Sequence, residues 1–457
     1  MTLSGMTKRT ETTTRMRLPA AYRRLWWAAA VDNVGDGVFA SALPLLTVTI
    51  TRDPLPISLV SAASYLPWLL LSLPAGALAD RRDRITLMWR SQILQAVIVT
   101  AVTVLLATGK ASIPLLAVTG FALGACEVVF ANASQAALPD IVPQPLLTKA
   151  NSSQYTVANT GQQFLGPPLG SLLFAVTVAL PFGLDAGSFA LSAGLLATLP
   201  RRPRADAAHS PVRTAIAEGV RWLGRHRLLR TLAGLLAVNT FCFQLGNVTV
   251  VLLATRTLHV SDRGYGLLLA GGAIGSVLGG LVSAVIVARI GALPTLLISL
   301  GANAGIFAVI GFSPDAVALG VLLALNGFAT ILWSVVTLTL RQRLVPPDLL
   351  GRVNSAYRML GWGLMPLGSL AGGLIARELG VRAAYPVAGA LRGIALLAAL
   401  PVLITAMRSA DTERTSSRRR SPAARDPWFL ASGTTAVTCD PGMWTGGTAA
   451  EWRLRFG

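Results

Sequence analysis

Apolar residues in this chain come in long unbroken runs, not in the strict alternation of a half-buried strand or the one-sided stripe of a soluble helix. A helix needs about 20 predominantly apolar residues to cross the hydrocarbon of a bilayer. Runs of that kind fall at roughly 25–50, 57–79, 85–108, 113–137, 153–175, 179–199, 231–255, 264–288, 293–312, 316–340, 354–377 and 384–406. They predict an all-α membrane protein of twelve transmembrane helices. The fourth and fifth runs are diluted by Asn132, Gln135 and Asn159. The first is too long for the apolar part of a secretion signal and is interrupted by acids, so it reads as a retained helix.

Polar residues gather between the runs, and their charge gives an orientation. Lys8, Arg9, Arg15, Arg17, Arg23 and Arg24 precede the first run, and Arg81, Arg82 and Arg84 follow the second. Eight arginines crowd residues 200–230, and Arg341, Arg343 and Arg352 follow the tenth run. Alternate loops hold little beyond Arg52, Lys110, Arg256, Arg263 and Arg382. Short loops rich in Lys and Arg stay in the cytoplasm, so both termini are expected there, with the chain in the cytoplasmic (inner) membrane. The expected organisation is a tail over 1–24, a six-helix bundle over 25–199 and a linker over 200–230. A second bundle over 231–406 and a basic, disordered tail over 407–457 follow. Residues 218–232 read as an amphipathic helix lying on the inner membrane surface.

Composition agrees with this picture. The 457 residues are 53% hydrophobic and 13% charged, where a soluble domain carries about 25% charged residues. The net charge of +19 suggests nucleic acid until its location is considered: the arginines mark topology and form no basic face interleaved with aromatics. Cys126, Cys242 and Cys439 form no C-x-x-C pair, and three scattered histidines offer no metal-ligand spacing. The phosphate-cradling P-loop pattern is absent. No enzyme, cofactor or metal site is expected.

The chain also repeats. "IVPQPLLTKANSS" from Ile141 matches "LVPPDLLGRVNSA" from Leu344, polar residues included, and each leads into a Gly-rich helix. Two parallel six-helix halves predict a pseudo-symmetric molecule with a site between the halves near mid-membrane.

Within the first run, "VDNVGDGVFASALPLL" sets Asp32, Asn33 and Asp36 among apolar residues at helical spacings of three and four, on one face. A charge at the bilayer centre costs at least about 2.5–3.5 kcal/mol, so such groups face a cavity or a partner. Glu127 in the fourth run is a similar case. Gln92, Gln95, Asn239, Gln244, Asn247, Asn326 and Trp333 are polar or aromatic candidates for a cavity wall, as are Asn132, Trp68, Phe241 and Phe243. Helix–helix hydrogen bonding or core packing accounts for each of these singly as well. Arg392 in the twelfth run meets an anionic substrate, pairs with an acid, or snorkels.

"GALADRRDRI", from Gly76 to Ile85, resembles the loop signature of the major facilitator superfamily, with Gly76, Asp80, Arg81 and Arg84 matching and Asp83 where a glycine is usual. "GPPLG", with Gly166, Pro167 and Gly170, is similar to the helix-bending signature of family exporters, and an ordinary kinked packing helix fits it equally. "LPFGLDAGSFALSA", "EGVRWLGRHRLLRTL" and "NVGDG" resemble the branch holding the enterobactin exporter and macrolide and multidrug exporters.

The resemblance implies a monomeric secondary transporter working by alternating access, its partners a small molecule, protons and membrane lipid. It puts the face of Asp32, Asn33 and Asp36 on the transport path. There Asp36, an acid in an apolar span helped by Asp32 or Glu127, is expected to couple export of an amphiphilic drug, antibiotic or siderophore to proton entry; permanent pairing, or a hydrogen bond within the helix turn, is the other reading. The Gly76–Asp80–Arg81–Arg84 cluster is expected to latch the outward-facing state, and a solvated loop that only fixes topology is the other reading. Many proton-driven members carry a buried arginine in the fourth span; this chain has none there, so either Arg90 in the third serves or coupling differs here. Import of a metabolite, or a non-transporting receptor or scaffold, are the rival functions.

Overall fold

The computed structural model describes residues 18–200, 221–346, 353, 357 and 359–420. The tail before residue 18, linker residues 201–220 and the stretch beyond Arg420 lie outside the described residues, as does the side chain of Asp80. Among the described residues there is no strand. The helices are α1 (Ala20–Ile50), α2 (Pro54–Arg81), α3 (Arg84–Ala107), α4 (Ile113–Ile141), α5 (Leu147–Asn159), α6 (Gly166–Val176) and α7 (Ala179–Ala197). They continue with α8 (Arg227–Leu252), α9 (Asp262–Ile290), α10 (Ala292–Ile310), α11 (Ala316–Leu344), α12 (Met365–Leu379) and α13 (Ala384–Arg420).

Eleven helical segments among the described residues are long and apolar enough to cross a membrane. The expected fifth span does not meet that test. It runs as α5, a π turn over Thr160–Leu165 and then α6, and the α5 part, "LTKANSSQYTVAN", is largely polar.

Polar loop residues start the helices. The side chains of Asp53, Asp83, Ser112, Ser261 and Asp315 each accept from a backbone N–H two or three residues on, capping α2, α3, α4, α9 and α11. This explains Asp83 in place of the motif's glycine: its Oδ1 takes the Thr86 N–H at 2.7 Å and opens α3. In the segment read as one amphipathic helix, the helical run breaks at His226, whose backbone is extended and whose ring accepts from Leu229 N to begin α8. At the far end, α13 continues to Arg420. Residues from Arg408 on form a separate unit.

The duplication is visible in the packing. On α6, Gly166 lies against Gly37 and Val38 of α1, and Gly170 against Val38 and Ser41. On α12, Gly368 lies against Phe241 and Gln244 of α8, and Gly372 against Leu245 and Val248. Val38 and Leu245, like Ser41 and Val248, are 207 residues apart. The same shift relates Tyr22 to Leu229. The Tyr22 hydroxyl donates to the Ala150 carbonyl at 2.9 Å, and the Tyr357 hydroxyl to the Leu229 carbonyl at 2.7 Å. One helix crossing is thus tied twice, with the tyrosine on opposite partners. Small residues permit this close approach in a bilayer. Pro167, in the first turn of α6, is buried there and has no N–H to leave unpaired.

α1 and α8, the first helices of the two halves, are the most enclosed, with 56% and 61% of their apolar windows buried. Peripheral helices expose Leu267, Leu281 and Val317, as a surface facing hydrocarbon should.

The halves meet toward the end where α1 finishes and α2 begins. Arg256 donates to the Val48 carbonyl at 2.9 Å, and Arg377 lies 3.8 Å from Asp53. Gln244 donates to Ser61 at 2.8 Å, and Ser61 shares a hydrogen bond with Ser369 at 3.1 Å. Farther along α2, Trp68 stacks on Trp362 with ring centroids 4.8 Å apart.

Candidate functional site: buried acids in the N-terminal half

The carboxylates of α1 share a helix face but turn to different neighbours. Asp32, 2% exposed, accepts from Gln92 Nε2 of α3 at 2.8 Å. Asp36 lies deep in the molecule yet is partly accessible, and its Oδ2 accepts from Gln162 Nε2 at 3.5 Å. Gln162 belongs to the π turn between α5 and α6; such turns widen a helix and often sit at functional sites. Glu127 on α4 lies near Gln95 on α3. Asp32 and Asp36 each accept from a glutamine amide of another segment, and a third glutamine stands near Glu127. Asn33 donates to Ala29 of its own helix at 2.6 Å.

A fourth acid joins them. Asp185 of α7 is 1% exposed; its Oδ1 receives Ser188 Oγ at 3.4 Å and its Oδ2 has no partner. A Cβ at Gly35 would come within 2.6 Å of Asp185 Oδ1, so this glycine is what lets α7 and its acid approach α1. Asp32, Asp36, Glu127 and Asp185 are neighbouring carboxyls, and among the described residues no Lys or Arg forms an ion pair with any of them. The Oε1 atoms of Gln92 and Gln95 are buried acceptors without donors. The cluster is rich in acceptors and short of protons. Sequence reasoning had passed over Asp185, although a lone acid in an apolar run is the same signal that marked Asp36.

The C-terminal half has a matching polar core of other chemistry. Arg392 on α13 donates to Asn303 Oδ1 on α10 and to the Asn239 carbonyl on α8 at 3.1 Å, and stands 3.7 Å over the Phe307 ring. Asn303 in turn donates to Asn326 at 3.1 Å and Thr330 at 2.8 Å on α11. Arg392, Asn239 and Asn326 are thus joined inside one bundle. Gln244 sits at the seam between the halves. Asn247 and Phe243 lie on an accessible stripe of α8 with Thr240, which the shift of 207 relates to Asn33, Asp36 and Ala40 on α1. Trp333 is buried with its Nε1 unpartnered.

Around the loop after α2, Arg84 donates to Asp140 at 2.6 Å and to the Ala136 carbonyl, joining α3 to the end of α4 within the N-terminal half. Gly76 faces Asn132, and Arg81 is exposed. Arg90, the candidate substitute for a fourth-span arginine, is also exposed, beside Trp89.

Enclosed acids on a duplicated bundle of membrane-length helices suit a membrane transporter, and the comparisons show the family. A family model of the major facilitator type, described as a transmembrane secretion effector, matches residues 15–437, and the chain belongs to that family. It is 29% identical over 382 residues to YfiS of Bacillus subtilis, an MFS-type transporter, covering 79% of this chain and 88% of that one. It is 28% identical over 381 residues to the multidrug efflux pump Tap of Mycolicibacterium fortuitum, covering 79% and 90%. Among solved structures, the nucleoside transporter NupG is similar with a TM-score of 0.65 at 13% identity, over 84% of this chain and 99% of that one. A bacterial homologue of the iron transporter ferroportin, inward-facing, has a TM-score of 0.65 at 17% identity, over 84% and 99%. At those identities the fold alone is shared. The protein is a multi-pass membrane transporter of small molecules, of a family that is not enzymatic.

Proposed function

We propose that the protein exports an amphiphilic small molecule, such as a drug, antibiotic or siderophore, across the cytoplasmic membrane by alternating access, driven by proton entry. The observation that carries the reading is Asp36, an accessible carboxyl backed by enclosed ones. Asp36 exchanges protons with water, and Asp32 and Glu127, with Asp185, share them; several carboxyls at close quarters without a cation are the arrangement in which protons are passed. Gly166, Pro167 and Gly170 hold the helix that presents Gln162 to Asp36. Resemblance to the efflux pump Tap supports export of drugs.

The substrate lies between the two accessible stripes, against Asn33 on one side and Phe243 and Asn247 on the other. Both termini are cytoplasmic and the molecule is a monomer of twelve crossings, with α5 and α6 making the fifth. In that orientation the seam at Val48, Asp53 and Ser61 is at the outer end, so this state is closed outward. Gly76, Asp80, Arg81 and Arg84 latch the opposite state.

Direction is tested with vesicles. Energised inside-out vesicles should accumulate a labelled substrate taken from a resistance screen, and right-side-out vesicles should not. Accumulation only in right-side-out vesicles would make the protein an importer.

A further inference from the structure

Arg392 is a buried charge without a counter-charge. The residue is 6% exposed, and its guanidinium donates to two neutral oxygens, one amide and one backbone carbonyl. Its Nε is buried with no partner. The neighbouring Cys242 supplies a thiol, a weak acceptor. Among the described residues no carboxylate pairs with Arg392. Buried charges are ordinarily paired, because an isolated one loses its hydration and gains nothing in return.

The duplication shows where the answering charge is missing. The position that the shift of 207 relates to Asp32 is Asn239. The N-terminal half holds an acid there, and the C-terminal half holds an amide beside an arginine. A small cavity opens at this place, edged by Arg392 and Asn239 and walled by Leu235, Val238, Leu300 and Leu396. The cavity is partly open and has room for about one water-sized group, so a halide, slightly larger than water, has to spread the leucine walls a little, whereas a tetrahedral oxyanion would have to displace them. A water molecule would supply a lone pair but no charge. A halide supplies both, and the apolar walls suit a weakly hydrated monovalent ion. Sulfate and phosphate are too large and too highly charged for the space.

We infer that Arg392 and Asn239 hold a halide-sized monovalent anion, chloride under ordinary conditions, as the counter-charge of the C-terminal polar core. The site is independent of transport direction and of what is transported. Binding is read without transport, from thermal unfolding of the purified full chain followed by tryptophan fluorescence. Sodium chloride or bromide is compared with sodium gluconate or sulfate at equal ionic strength.

The expected result is a rise in unfolding temperature that saturates with the halides and is absent in gluconate, apart from the unsaturating rise that sulfate gives by exclusion from the surface. Arg392→Gln should abolish the rise and Cys242→Ser should keep it. Asn239→Asp, which places a carboxylate beside the guanidinium, should be as stable in gluconate as the parent is in chloride and should no longer respond to halide. Equal parental stability in chloride and gluconate would overturn the inference. So would a halide response that survives in Arg392→Gln or is lost in Cys242→Ser. If Arg392→Gln does not fold, Asn239→Asp decides: a retained halide response refutes the site.

Discussion

Substituting Gly166 by alanine should disturb the acid cluster through the backbone alone. A methyl group added there would stand 2.6 Å from the Gly37 carbonyl carbon and 2.8 Å from the Val38 nitrogen. Carbon contacts are most favourable at about 3.5–4.0 Å, so α6 has to retreat from α1 by about 1 Å. The obstacle is main chain, and no rotamer change relieves it. Overpacking of this kind costs about 1–3 kcal/mol, a large part of a net stability of about 5–15 kcal/mol. The same retreat carries Gln162, one turn earlier, out of reach of Asp36, since their hydrogen bond is already 3.5 Å long. Gly187→Ala is the matched control, because a Cβ there meets nothing within 4 Å. Thermal unfolding of the purified protein and substrate efflux from cells measure the two effects. Gly166→Ala should unfold several degrees lower and transport poorly, with Gly187→Ala like the parent. A Gly166→Ala protein with parental stability and full transport would refute the idea that this crossing sets the geometry of the site.

Other outcomes follow from the same packing. Gly275→Ala on α9 should destabilise strongly, since its Cβ would run into the Ala324 backbone, whereas Gly280→Ala, with Ile331 at 3.9 Å, should be close to neutral by the same unfolding assay. Asp140→Asn should cost less than about 1 kcal/mol despite losing a 2.6 Å ion pair, because Asp140 is 49% exposed and surface pairs contribute little. Trp362→Ala removes a stack across the seam with Trp68, a contact of about 0.5–1.5 kcal/mol beyond burial. It should shift the population toward the outward-facing state, read as increased labelling of cysteines introduced at the outer ends of α1 and α8.

Much of this was legible in the chain. Hydrophobic run length located the helices because hydrocarbon thickness leaves little choice. The repeat was legible because polar loop residues matched in register with the helices. Spacing put Asp32 and Asp36 on one face, but it could not say that Gln92 of α3 would take one and Gln162 the other, since helix rotation and neighbours are set by packing between distant segments. The π turn at Thr160–Leu165 has no one-dimensional period. Asp185 stands in an apolar run as Asp36 does, and what one dimension hides is its approach to α1, which depends on Gly35 of another helix. Arg392 was marked by its cost alone, and its partners come from α8 and α10, far off in sequence.

The central claim is that Asp36 carries the coupling proton, and the direct measurement is substrate-driven proton flux in proteoliposomes with a trapped pH dye. The parent protein should move protons whenever substrate is added on the cytoplasmic face. Asp36→Asn should bind substrate, judged by quenching of tryptophan fluorescence, and move none. Undiminished proton flux per substrate in Asp36→Asn would contradict the account.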